Sequence, residues 1–216
     1  CTALLEISFN WCYNIVMGTI TEIKAQKRNK NRVSIYVDGQ FLTGMQSIVA
    51  LKNGLKTGAV IDEKDILQCV HESECAEAFD KCIALLSRGL KTRREIQNYL
   101  KNKSFTDGVI ADTLDKLIGY GYLDDGKYVD TYISVYKNER GINRLRVDLL
   151  NKGIDKNVLD EKLSALTDQT DAAQAAAEKY KRSHKDCDIV KLRRYLYSKG
   201  FTYSVIYEVT GEDADD

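Results

Sequence analysis

Six cysteines and two histidines carry the sharpest chemistry in this sequence of 216 residues: Cys1, Cys12, Cys69, Cys75, Cys82 and Cys187, with His71 and His184. A zinc site shows itself as close cysteine pairs backed by further cysteine or histidine at set spacings. None of these cysteines forms a C-x-x-C pair, so neither a metal nor any other cofactor is expected. Cys75 and Cys82, seven residues apart, share a helix face and read as small apolar fillers of a reduced cytoplasmic protein. Both histidines are expected at the surface. Local spacing suggests no Ser-His-acid or Cys-His arrangement. The pair Asp124-Asp125 stands before a helical pattern, where carboxylates cap the helix and offset its dipole rather than hold a metal.

What remains is charge. Lys plus Arg and Asp plus Glu number 32 each, and this balance argues against whole-chain attraction to nucleic acid. The charge is nevertheless separated, with a basic excess in residues 17–62 and an acidic end. Basic residues also gather on helices beside the apolar stripe: Lys91, Arg93 and Arg94, then Arg144, Arg146 and Lys152, then Lys191, Arg193, Arg194 and Lys199. With Tyr197 and Tyr203 they are the candidate partner-binding residues, a strip able to meet an acidic protein surface or phosphate. The plainer alternative for each is a solvated face with charge pairs one turn apart.

These residues sit on a pattern written three times. Ile96, Leu145 and Leu192 open it, and four residues on come Leu100, Leu149 and Leu196. Lys103, Lys152 and Lys199 follow, then Ser104, Gly153 or Gly200, then Phe105, Ile154 or Phe201. Copies start 49 and then 47 residues apart, the period of a helical repeat. Thr92, Gly141 and Asp188 are N-cap types, and Thr92-Arg-Arg-Glu95 is a capping box. The glycine suits a left-handed residue past a helix end. Ser104 in that conformation costs about 1–2 kcal/mol, which leaves the first copy free to end its helix differently. Thr106, Asp155 and Thr202 cap a second helix that carries Val109-Ile110, Val158-Leu159 or Val205-Ile206.

An upstream helix completes each unit. The first spans 62–87 as one bent helix or two, with Ile66-Leu67, Val70 and Phe79 mostly on one face. The second spans 124–138 with Tyr128, Tyr132 and Val135 inward, and the third 168–182 with Ala172, Ala173, Ala176 and Tyr180 inward. Before the helices, alternating Val33, Ile35 and Val37, the Asp38-Gly39 turn and the residues after it predict a sheet of about three antiparallel strands. A short helix over 46–53 follows. The fold expected is mainly α: three tandem three-helix repeats in an elongated stack, preceded by a small antiparallel β leader. Residues 17–62 form the leader, 63–118, 119–166 and 167–210 the repeats, and 211–216 an acidic tail. Met17 looks like a natural start, and residues 1–16 read as a non-native or upstream-translated extension. No run reaches the length of a membrane span.

Gly121-Tyr-Leu-Asp-Asp125, Tyr128, Gly141, Arg144-Leu145, Leu149 and Lys152-Gly-Ile154 resemble the central signature of the RecX family, bacterial regulators of the recombinase RecA. Thr92 to Leu100 and Arg194 to Ile206 resemble its first and last repeats, and the likeness covers nearly all of 17–212. Val129 stands where the family usually has alanine, and Ser104 where it usually has glycine. The resemblance implies a monomeric, non-enzymatic modulator of recombinational DNA repair and the SOS response. Such a protein lies in the groove of a RecA filament on single-stranded DNA, adds a weak contact to DNA itself, and lowers ATPase and strand exchange. A directly DNA-binding regulator built like a helix-turn-helix is the rival reading.

Overall fold

The computed structural model describes residues 17–27, 29–166, 168–184, 186 and 188–211. The expectations for residues 1–16 and for the acidic residues 212–216 lie outside the described residues, as do Arg28 and Cys187. The fold is mainly α, with three tandem three-helix copies behind a small antiparallel sheet. The leader comprises β1 (Met17–Ala25), β2 (Arg32–Val37), β3 (Gln40–Gln46), α1 (Ser47–Lys52) and β4 (Val60–Asp62). The first copy contributes α2 (Glu63–Leu86), α3 (Arg93–Asn102) and α4 (Asp107–Gly119), and the second α5 (Asp125–Tyr136), α6 (Ile142–Asn151) and α7 (Lys156–Ser164). The third contributes α8 (Thr170–Ser183), α9 (Ile189–Ser198) and α10 (Tyr203–Thr210). Two compact units result: the described residues up to 85 with 100–117, and 86–99 with the described residues from 118 onward.

In the first unit the sheet has four strands, in the order β3-β2-β1-β4, rather than about three. The extra strand, β4, pairs Asp62, Ile61 and Val60 with Met17, Gly18 and Thr19. Three residues are too short to show a period. Asp38 and Gly39 both take positive φ, 49° and 82°, as a two-residue hairpin turn requires. Ile20, Ile35, Val37 and Met45 form a core with Ile66 and Cys69 of α2, so the sheet covers one face of that helix. The buried Ser73 hydroxyl accepts the Gln46 N–H at 2.7 Å, and Arg32 bridges Glu77 and the Gly44 carbonyl. α2 is one continuous helix, and Leu67 is half exposed, off the face expected for it. Cys82 is fully buried as a filler, and burial pushes its thiol up to about 11.

The repeated columns form the cores. Ile96, Leu100, Leu145, Leu149, Leu192 and Leu196 are all buried. In the second copy Leu145 and Leu149 pack with Val129, Ile154, Leu159 and Leu163, with Tyr128 and Tyr132 at the margin. Val135 is exposed rather than inward, because α5 turns it away from that cluster. In the third copy Leu192, Leu196, Phe201 and Ile206 close on Ala173 and Ala177.

All three middle helices end alike. Ser104, Gly153 and Gly200 have φ of 63°, 85° and 89°, and the next residue's N–H returns to Leu100, Leu149 or Leu196. Ser104 therefore adopts the left-handed turn despite its side chain, and the first copy does not end differently. Asp155 and Asp188 cap as expected, whereas the Thr202 hydroxyl pairs with Ser204 and makes no cap bond.

Within the second unit the middle helices meet end to end. The Gly141 and Asn143 N–H groups donate to the Lys199 and Gly200 carbonyls at 2.9 and 3.0 Å. The buried Gln169 amide oxygen accepts the Ile142 N–H at 2.7 Å. Gly141 has no side chain to cap α6, so the third copy satisfies the open amides. The next junction repeats the scheme: the Thr92 hydroxyl donates to the Lys152 carbonyl at 2.8 Å, and Asp125 accepts the Arg93 N–H at 2.8 Å. Arg94 closes it by donating to the Leu150 and Asn151 carbonyls, a cation at the negative end of α6.

Candidate partner interface

The candidate residues separate into those that hold the chain together and those that face outward. Helix period explains the division, because positions beside the buried stripe reach the neighbouring helix and positions opposite it do not. Arg146 and Arg193 share one column and one task. Arg146 pairs with Asp160 on α7, while Arg193 donates to the Thr210 hydroxyl at 3.0 Å and the Gly211 carbonyl at 2.7 Å. The Arg193 guanidinium also lies 4.5 Å from the centre of the Tyr207 ring. Each arginine thus ties its middle helix to the helix that follows.

A first group gathers where α3 meets α6. Arg94 and Lys152 line a shallow depression with Glu95, Asn98 and Asp148. Arg144 pairs with Asp148 at 3.0 Å, and Asp148 also receives Arg140 at 2.7 Å. Lys91 is half-buried and its charge acts on Glu95, while Arg93 is exposed.

Glu95 is the hub of this group. Its carboxylate accepts Lys152 Nζ at 2.6 Å and the Thr92 N–H at 3.1 Å, and its own N–H donates to the Thr92 hydroxyl at 3.2 Å, which completes the capping box. Burial pushes the carboxyl up, but the Lys152 ammonium and the Thr92 amide outweigh it and hold the group below the ordinary glutamate value of 4.5. A depressed folded pKa stabilises the fold above that value and is lost as pH falls through the folded pKa. Glu95→Gln is therefore expected to lower stability at neutral pH and to flatten the acid limb of the stability profile. Urea denaturation near neutrality and at about pH 3 checks this, and parallel loss in both proteins would refute it.

A second group lies on the third copy. Lys191, Arg194 and Tyr197 follow one another at three-residue steps along α9, which places successive members side by side. Tyr203, at the start of α10, stacks on Tyr197 with ring centres 5.2 Å apart. These two rings are 55% and 63% exposed, too open to be core residues. Among the described residues, Lys191 and Arg194 make no side-chain hydrogen bond or ion pair. Lys199 turns away from this strip, its ammonium 5.4 Å from the centre of the Tyr195 ring, and Tyr195 itself stacks on Tyr180 in the core margin. The structure thus brings Lys191, Arg194, Tyr197 and Tyr203 together and ties Arg193 and Lys199 elsewhere.

Asp124 caps its own helix by accepting the Lys127 N–H, but Asp125 caps α3 instead. Sequence reasoning missed that role and the matching role of Gln169, since the amides they serve lie 32 and 27 residues away.

Two family models match the chain. Residues 18–62 match the family described as Regulatory protein RecX N-terminal domain, and residues 78–117 match RecX, first three-helix domain. Regulatory protein RecX of Bacillus licheniformis is 33% identical over 198 residues, covering 88% of this chain and 75% of that protein. Regulatory protein RecX of Clostridium perfringens strain 13 is 32% identical over 209 residues, covering 91% of this chain and 99% of that protein. A solved crystal structure of regulatory protein RecX is similar, with a TM-score of 0.72 and 28% identity over 90% of this chain and 100% of that one. The crystal structure of RecX from Lactobacillus salivarius gives a TM-score of 0.59 and 25% identity over 63% and 94%.

Proposed function

This chain belongs to the RecX family of regulatory proteins, and on that premise we propose that it binds the RecA filament on single-stranded DNA and lowers its ATPase and strand exchange without catalysing a reaction. The observation that carries the reading is the outward strip of Lys191, Arg194, Tyr197 and Tyr203. Two cations that make no side-chain hydrogen bond or ion pair among the described residues, beside two stacked exposed rings, suit a partner surface that is acidic and partly apolar. Tandem copies suit a partner that itself repeats. No described helix is long and apolar enough to cross a membrane.

The test is co-sedimentation with RecA–DNA filaments over a series of salt concentrations, with ATPase measured in parallel. Binding to the filament and a falling ATPase are expected. Unchanged ATPase, strand exchange and filament length would overturn the reading. Tight binding to bare DNA with a steep salt slope would instead assign the strip to phosphate.

A further inference from the structure

Well before this strip in sequence, three ligand types meet that the proposed function does not use. His71 and Cys75 are one turn apart on α2, and Asp112 comes from α4. His71 Nε2 lies 2.6 Å from Asp112 Oδ2 and 3.5 Å from Cys75 Sγ. All three ligand atoms fall within 4.8 Å of one another.

We propose that His71 Nε2, Cys75 Sγ and a carboxylate oxygen of Asp112 form a three-ligand zinc(II) site that clips α2 to α4, with water completing the tetrahedron.

Bond lengths of about 2.0–2.1 Å to nitrogen, 2.3 Å to sulfur and 2.0–2.2 Å to oxygen put tetrahedral ligand atoms roughly 3.3–3.6 Å apart. The imidazole and thiol already stand at that separation. The carboxylate is closer to the imidazole and must withdraw from it by well under 1 Å, roughly the difference between a hydrogen bond and a tetrahedral edge. Asp112 is free to do so, its side chain being 62% exposed.

A second, independent observation points to a metal-bound thiolate. The Thr113 hydroxyl is 1% exposed and, among the described residues, has no partner at full hydrogen-bond geometry, yet it stands close enough to the Cys75 sulfur to favour its thiolate. A neutral thiol is a weak acceptor, which leaves that buried donor unsatisfied. A thiolate on zinc accepts it, and the hydroxyl then orients the ligand from behind. The imidazole lies beside the first turn of α4, where a Cβ added at Gly108 would just touch its Cε1 at 3.7 Å.

Nitrogen, sulfur and one carboxylate form a borderline-soft donor set, which suits zinc(II) and cobalt(II) and lacks the oxygen-rich shell of calcium or magnesium. The other charges facing the thiol are Glu74, which favours a cation, and Lys116, whose ammonium is drawn over the Phe79 ring at 4.7 Å.

The full chain, reduced and freed of metal, is titrated with zinc(II) against a chromophoric chelator and separately with cobalt(II). One equivalent bound through this site, a thiolate-to-cobalt charge-transfer band and a raised Tm are expected. Cys75→Ser and His71→Ala should each weaken zinc at least about tenfold, with Cys75→Ser losing the cobalt band. Asp112→Asn, on an exposed side chain that does not endanger folding, should weaken zinc by about tenfold while keeping the band. Circular dichroism establishes that each variant is helical. No binding by the wild type, or undiminished binding in any one folded variant, overturns the proposal and leaves a plain histidine–carboxylate hydrogen bond.

Discussion

Alanine at Gly141 is expected to destabilise the protein by about 3–5 kcal/mol, from overpacking together with the loss of buried hydrogen bonds. The backbone there is unstrained, with φ −71° and ψ 161°, so the cost is purely one of space. A Cβ would stand 2.1 Å from the Gly200 carbonyl carbon and the Phe201 nitrogen. Nothing at that distance can yield, because the obstacle is main chain rather than a flexible side-chain end. The two helices must part, and the Gly141, Ile142 and Asn143 amides lose their acceptors together. Each kcal/mol lowers Tm by about 2–4 °C in a chain of this size, so thermal denaturation should show a fall on the order of 10 °C. Gly119→Ala is the control, since nothing lies within 4 Å of a Cβ there and its φ is not positive. A loss below about 1 kcal/mol at Gly141 would mean the junction is looser than its geometry.

Reversing Lys191 and Arg194 together to glutamate is expected to weaken filament binding by about ten- to a hundredfold at low salt, with the effect shrinking as salt is added. Stability should stay within about 0.5 kcal/mol, because neither side chain has a described partner to lose. Arg193→Glu makes the instructive contrast. That guanidinium holds Thr210, Gly211 and the Tyr207 ring, so its reversal should loosen α10 and lower Tm whatever it does to binding. Co-sedimentation with denaturation of the same preparations separates the two outcomes. Unaltered binding by a folded Lys191→Glu, Arg194→Glu double variant would remove the strip from the interface.

What sequence made legible was whatever repeats within one copy. The buried pairs Ile96–Leu100, Leu145–Leu149 and Leu192–Leu196, the Thr92–Glu95 box and the left-handed turns all depend on neighbours a few residues away. The glycine column was read correctly for its φ but incompletely. Gly200 is also required by contact, since a Cβ would meet the Arg144 backbone nitrogen at 2.3 Å, and Gly153 is crowded by Arg94 at 2.4 Å. Ser104 shows the strain alone to be bearable. Less legible was the split among the basic residues. Arg193 and Arg194 are adjacent in sequence, yet one is a brace and the other faces outward, because helix period turns only Arg193 toward the helix that follows. The acceptors Asp125 and Gln169 were invisible because they serve amides in a neighbouring copy. His71 and Cys75 did show helical spacing, but the third ligand sits on a different helix.

The end-to-end junctions have a direction: one helix always presents donors and the next always presents carbonyls. The two junctions are not interchangeable: Thr92, Arg94 and Asp125 serve one, and the Gly141 and Asn143 amides with Gln169 serve the other. A change of length by a full copy would therefore need its new junction rebuilt from residues that the copies do not share.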